Sequence, residues 1–289
     1  VLPYGLMKAT NVDATDALVR LTRRSNWPER PPAVVFVSSL SALAPSDLGE
    51  TLQSTPASRV DLLSGYGQTK WVSERRLAMA TRAGLLASLS IARLGLVGPH
   101  SVSGESNLQD WLHLTLRAVA AVRAVPAGDL SGADYTVNLL PADVTARAIA
   151  RLGALRVEGS ATASETSQPP AMITAYHVDA KAFGFEPVSV NASLIPALEQ
   201  RCGGKFEYDV AYEAWRDRLR AVGGAVEAAL AVLPPLPPGG GARRELLRMP
   251  RSTARDKLER TAGRELAVAL GYAGRAGEWS DGLWLRWAG

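Results

Sequence analysis

A tyrosine and a lysine stand four residues apart in the run Gly65-Tyr66-Gly67-Gln68-Thr69-Lys70-Trp71. On a helix that spacing stacks both side chains on one face. A phenol with a pKa of about 10 is a poor acid at neutral pH, and an adjacent ammonium is expected to stabilise the phenolate and lower that pKa. The start of a helix adds positive potential. Such a pair would pass a proton to an oxygen that turns anionic as hydride reaches a carbonyl carbon. The spacing by itself is weak evidence, since a half-buried tyrosine beside a snorkelling lysine has the same pattern. Ser38 and Ser39 add weight. They follow an apolar run, Ala33 through Val37, and so would end a buried strand, where parallel α/β sheets place their ligands. A serine hydroxyl there would hold the same carbonyl oxygen, with strand-end turn chemistry as the alternative for one of the two.

The elements that would position these residues follow from periodicity and punctuation. A helical stretch opens at Thr10-Asn11-Val12 and runs to about Arg24; prolines at 28, 31 and 32 break it. The strand at 33–37 is continuous and β-rich, as in a sheet covered on both faces. Residues 64–82 read as the Tyr66 helix, with Gly84 as its stop. Residues 88–97 hold a second strand closed by Gly98-Pro99, and 107–125 a strongly apolar helix. Tyr135 through Leu139 is a short strand, Pro141 opens a helix at its favoured first-turn position, and 172–178 is a further strand. This alternation predicts an α/β fold with a doubly wound, Rossmann-like parallel sheet. We expect residues 1–180 to form the catalytic part of that domain and 181–233 a smaller, mostly helical substrate cap with one strand at 206–210. Residues 234–241 (PPLPPGGG) would be a linker and 242–289 a helical C-terminal extension.

The chain has 289 residues, 47% of them hydrophobic, enough for a sizeable core. Net charge is +4, and arginines occur as scattered pairs such as Arg23-Arg24, Arg75-Arg76 and Arg243-Arg244 rather than in an aromatic-interleaved stripe. That argues against nucleic acid as a partner. The single cysteine, Cys202, excludes an internal disulfide and suits a reducing, cytoplasmic setting. His100, His113 and His177 lack ligand spacing, so no metal is expected. No apolar run approaches the ~20 residues of a membrane span.

The strand-Ser-Ser, the Tyr-x-x-x-Lys helix and the later Arg93-Leu94-Gly95-Leu96-Val97-Gly98-Pro99 together resemble the extended short-chain dehydrogenase/reductases. More narrowly, Asn11-Val12, Gly65 through Glu74, Arg93-x-Gly95, Ser103-Gly104-x-x-Asn107-x-x-Asp110 and Pro141-x-Asp143 resemble the thioester reductase branch. That branch comprises the terminal reductase domains of nonribosomal peptide and polyketide synthases, aminoadipate reductase and carboxylic acid reductases. Tyr176-His177-Val178 and Tyr212-Glu213-Ala214-Trp215 match in kind, and the resemblance covers residues 4–236.

The resemblance implies an enzyme using NADPH to reduce an acyl thioester, carried on a phosphopantetheinyl carrier protein or coenzyme A, to an aldehyde and in some cases on to the alcohol. It implies Ser39, Tyr66 and Lys70 as catalytic residues. Asn11, Ser38, Arg93 and Gly95, with Tyr66 and Lys70, would line the cofactor. Asn107 and Asp110 would shape the substrate side, with helix capping as an equal alternative for Asn107. Leu94 stands where the family has proline, and Asp13-Ala14 where it has a small-residue pair. No Gly-rich turn follows any strand, so the phosphate-cradling strand-turn-helix is expected upstream of residue 1. Two other readings stay open: another extended short-chain enzyme such as a nucleotide-sugar epimerase or dehydratase, and a truncated, non-catalytic docking fragment for a carrier protein.

Overall fold

The computed structural model describes residues 3–24, 31–43, 49–50, 52, 64–127, 136–161, 172–226, 229–230 and 261–272. The expected linker at 234–241, and all of the expected C-terminal extension except residues 261–272, lie outside them. The first helical stretch starts earlier than its pattern predicts, as α1 (Tyr4–Lys8), one π-helical turn (Ala9–Asp13) and α2 (Ala14–Arg24). β1 (Ala33–Ser39) runs through both serines and ends in a 3-10 turn, Leu40–Ala42. In α3 (Gly65–Arg82), Ser64 is the N-cap: its hydroxyl accepts the Gly67 N–H at 3.1 Å. Gly84, at φ 74°, follows the last turn in the left-handed conformation that suits glycine.

The strand expected over 88–97 is two strands, β2 (Ser88–Leu94) and β3 (Leu96–Gly98). The break is Gly95, where an added Cβ would meet the Asn138 carbonyl oxygen at 3.2 Å and the Asp179 Cβ at 3.3 Å. Glycine admits that approach, and the chain changes partner there: Gly95 N–H donates to Val178 O, and Leu96 N–H to Asn138 O. The helix expected over 107–125 is shorter. α4 (Trp111–Val122) begins after Asp110, whose Oδ1 accepts the Leu112 N–H at 2.9 Å, and yields to β4 (Ala124–Pro126) through a left-handed Arg123.

The strand expected at 135–139 is also divided, into β5 (Thr136–Val137) and β6 (Leu139–Pro141), so Pro141 closes a strand and α5 (Ala142–Ala161) starts after it. β7 (Met172–Val178) falls where predicted. Over the segment expected as a cap lie β8 (Val188–Ser189), a π-helical turn (Val190–Leu194), α6 (Ile195–Arg201), β9 (Glu207–Val210) and α7 (Tyr212–Val222). α8 (Thr261–Ala269) is the last described helix.

The main sheet is parallel, in the order β1-β2-β7, with Ser38 beside Arg93 and Arg93 beside His177. Side chains alternate across it. Leu89, Ile91 and Ala175 face a core with Leu77 and Ala78 of α3, while Ala92, Leu94 and Val178 face Val144, Ala148 and Leu152 of α5. β2 is buried along its whole length, as a central strand between two helical layers requires. The result is the expected Rossmann-like, doubly wound α/β arrangement. β3-β6 and β4-β9 are small parallel pairs and β5-β8 an antiparallel one, so the expected strand at 135–139 lies outside the main sheet. A separate core joins α4, α6 and α7 around the fully buried Trp215, whose indole N–H donates to Ala124 O at 2.8 Å.

Candidate active site

The parallel sheet points the carboxyl end of β1 at the first turns of α3, and there the sequence-predicted trio meets. Ser39 Oγ accepts the Ser41 N–H at 3.1 Å, fixing the 3-10 turn, and its side chain hydrogen-bonds the Tyr66 phenol. Tyr66 as a whole is 36% exposed. Lys70 Nζ donates to Val37 O at 2.9 Å and lies over the rings of Phe36 and Tyr66, 5.2 and 5.7 Å from their centroids.

The electrostatics depart from the expectation of a phenol acidified by Lys70. Burial pushes the Tyr66 pKa above its usual value; the Ser39 hydrogen bond pulls it down, and the Asp110 carboxylate pushes it up again. Lys70 faces the ring and the Val37 carbonyl, and its own pKa is lowered by burial against the opposing charge of Glu74 one turn on. Tyr66 therefore stays a protonated donor through the neutral range.

Asn11 is part of the framework around this trio. The π-helical turn, a feature frequent at functional sites, aims its Nδ2 at Thr69 Oγ1 (3.0 Å), and Thr69 donates to the Tyr66 carbonyl (2.8 Å). The Asn11 carbonyl accepts Ser73 Oγ at 3.0 Å. Thus the residue expected to line a cofactor ties the first helix to α3 beneath Tyr66.

Ser38 and Arg93, also expected to line the cofactor, are buried and turn to Glu74. Arg93 Nε and Nη2 donate to its two oxygens at 3.0 and 2.8 Å, and Ser38 Oγ donates to Oε1 at 2.6 Å. A guanidinium inside a sheet must be paired, and this fork satisfies it while clamping α3 to β1 and β2. Gly95, expected at the cofactor as well, serves the close approach of Asn138 and Asp179 described above. Ser38, Arg93 and Gly95 thus each make a scaffold contact in the fold, where the resemblance implies a cofactor contact.

Asn107, expected on the substrate side, is exposed and makes a turn, its Oδ1 accepting the Gln109 N–H at 3.0 Å, while the cap of α4 is Asp110. Asp110 both caps α4 and acts on Tyr66; burial raises its pKa, opposed by the N–H groups of Leu112 and His113. The loop between β3 and α4 is pinned by Ser101, whose N–H and Oγ donate to Asp143 at 2.9 Å each.

Glu74, Thr69 and Ser73 were given no role on sequence alone. A signal for Glu74 exists: Arg93 interrupts an apolar strand, and a buried arginine calls for an acid on a facing buried surface. The position of Glu74, one helical turn beyond Lys70, supplies it.

A comparison with known proteins matches residues 1–149 to the NAD-binding family described as male sterility protein. Glycine betaine reductase of Emericella nidulans is 33% identical over 156 residues, covering 53% of this chain and 11% of the relative. The L-2-aminoadipate reductase large subunit of Candida glabrata is 32% identical over 163 residues, 52% of this chain and 11% of the relative. The chain thus spans about a tenth of the length of these relatives. Among solved structures, the terminal R domain of the myxalamid PKS-NRPS pathway shares the fold at TM-score 0.63 and 21% identity, over 99% of this chain and 64% of that one. An archaeal thiolation-reductase di-domain matches at 0.60 and 15%, over 96% and 51%.

Proposed function

Because the chain belongs to the NAD-binding male sterility protein family, we propose that it is the catalytic part of a short-chain reductase that uses NADPH to convert a carrier-bound acyl thioester to an aldehyde. The acyl group is carried on phosphopantetheine, of a carrier protein or of coenzyme A, and where a second reduction follows it takes the aldehyde to the alcohol. The observation that carries this reading is the meeting of the Ser39 hydroxyl and the Tyr66 phenol at the carboxyl end of a parallel strand. Relatives described as reductases of glycine betaine and L-2-aminoadipate support the reaction type.

The half-exposed Tyr66 and the Lys70 ammonium fit the nicotinamide-ribose end of the cofactor, and we assign only that end to the described residues. The cofactor supplies hydride to the thioester carbonyl carbon. Ser39 orients the carbonyl by a hydrogen bond to its oxygen, and Tyr66 gives that oxygen a proton as negative charge grows on it. Lys70 holds the ribose and fixes the tyrosine ring. The resulting hemithioacetal collapses: its C–S bond breaks, the electron pair leaves on sulfur, the hydroxyl proton departs, and the thiolate is protonated to free thiol.

The test is to incubate the purified chain with NADPH and acyl-coenzyme A thioesters, measuring free thiol, trapped aldehyde and cofactor oxidation together. We expect one NADPH oxidised per thiol released where the aldehyde is the end product. Cofactor bound without thiol release would overturn the assignment.

A pH prediction arises from the same geometry. An ionised Asp110 disfavours the phenolate, so removing its charge lowers the Tyr66 pKa. Asp110→Asn keeps a capping side chain on α4. The alkaline limb of the rate profile, where Tyr66 loses the proton it must donate, is expected to move to lower pH in this variant. An unmoved limb would separate Asp110 from the phenol.

A further inference from the structure

The carboxylate of Glu50 joins segments that are remote in the chain. Its Oε1 accepts the N–H groups of His177 and Gly263, both at 2.9 Å, and its Oε2 accepts that of Ala262 at 2.7 Å. His177 lies at the carboxyl end of β7; Ala262 and Gly263 are in the first turn of α8, where backbone N–H groups have no intrahelical acceptor and favour an anion. Helix and strand touch directly at this point. A Cβ on residue 263 would stand 2.2 Å from the His177 carbonyl oxygen, so glycine is required there. Beyond it, Leu266 and Ala267 are buried with Leu94, Val144 and Val178 on the α5 side of the sheet.

The other side of the same loop reaches the catalytic framework. Gly49 O accepts from Arg93 Nη1 at 3.2 Å, and Arg93 Nε and Nη2 hold Glu74 of α3. Glu74 in turn receives Ser38, the neighbour of Ser39. A continuous chain of hydrogen bonds thus runs from α8 through residues 49–50 and Arg93 to the helix that carries Tyr66 and Lys70.

We propose that Glu50 is a positioning residue for the Ser39–Tyr66–Lys70 site, and that α8 acts through it as a working part of the reductase unit. The proposal rests on the reading of that trio as the active site. Losing the carboxylate frees both α8 and the Gly49 carbonyl, removes an acceptor from Arg93 and lets the start of α3 shift against β1. Displacements of that kind, remote from the reacting atoms, lower turnover more than binding.

The experiment uses the full 289-residue chain with Glu50→Ala, Glu50→Gln and Gly263→Ala, assayed where each is folded. Steady-state kinetics with NADPH and an acyl-coenzyme A are combined with hydrogen exchange of peptides from α3 and α8. Glu50→Ala is expected to lower kcat on the order of 10- to 100-fold with the KM for NADPH little changed. Exchange should quicken at the start of α3 as well as in α8. Glu50→Gln retains one carbonyl acceptor and should recover part of the rate, while Gly263→Ala, which pushes α8 off β7 with Glu50 intact, should reproduce the loss. Faster exchange confined to α8 with unchanged kcat would overturn the proposal and leave Glu50 as a brace. A wild-type chain inactive on thioesters, with exchange still linked between α8 and α3, would count against the site reading and for the coupling. Should Glu50→Ala fail to fold, Glu50→Gln and Gly263→Ala carry the same comparison.

Discussion

Tyr66→Phe is expected to lower kcat for thioester reduction by roughly 10²- to 10⁴-fold, the usual contribution of a positioned proton donor. The substitution removes one oxygen and keeps the ring on which the Lys70 ammonium rests at 5.7 Å. The lost hydroxyl leaves one hydrogen bond, to Ser39, unmade, a contribution of about 1 kcal/mol. The loss should therefore appear in turnover, with thermal stability and NADPH binding close to wild type. Ser39→Ala should fall by about 10²- to 10³-fold if its hydroxyl is a second donor to the developing oxyanion. The two losses should not add fully, because the hydroxyls share one hydrogen bond and act on one oxygen. Single-turnover NADPH oxidation measures both directly, and full activity in Tyr66→Phe would remove Tyr66 from the mechanism.

The second large effect belongs to stability. Glu74→Ala is expected to cost about 3–5 kcal/mol, because it strands the Arg93 guanidinium in the sheet without its carboxylate. Arg93 and Glu74 side chains are 2% and 3% exposed, so water cannot substitute. Ser38 loses its acceptor as well. Replacing both partners by apolar residues of similar size, Glu74→Leu with Arg93→Met, should recover most of that stability, since a buried ion pair contributes little net free energy over a packed apolar one. Denaturant unfolding of the single and double variants decides the matter. A Glu74→Ala protein of wild-type stability would show that the buried Arg93 does not depend on this ion pair.

The sequence was most informative where chemistry is local. A four-residue spacing places Tyr66 and Lys70 on one helical face, Ser64 can cap that helix, and an apolar β-rich run must be a covered strand; each depends on residues within a turn or two of one another. Boundaries were less legible where a remote residue competes for the backbone. Asn138 takes the Leu96 N–H and crowds Gly95, so one strand becomes two. Asp110, rather than Asn107, captures the N–H groups that start α4.

The roles of Ser38, Arg93 and Asn11 show the same limit at the site. Their residue types fit a ligand pocket equally well, and nothing adjacent in the chain distinguishes the two uses. Their partners in the fold are remote in the chain: Glu74 lies 36 positions from Ser38 and 19 from Arg93, and Thr69 lies 58 from Asn11. Whether a polar side chain serves ligand or scaffold is set by which other polar group is desolvated beside it, because a buried charge must find an opposite one. Tyr66 and Lys70 were thus legible in the sequence as a pair on one helical face. Only the tertiary structure decided that the phenol sits above its ordinary pKa, since burial and the Asp110 carboxylate reach it through space while Lys70 meets the ring face. It likewise decided that a carboxylate at position 50 ties a helix more than two hundred residues later to the same framework.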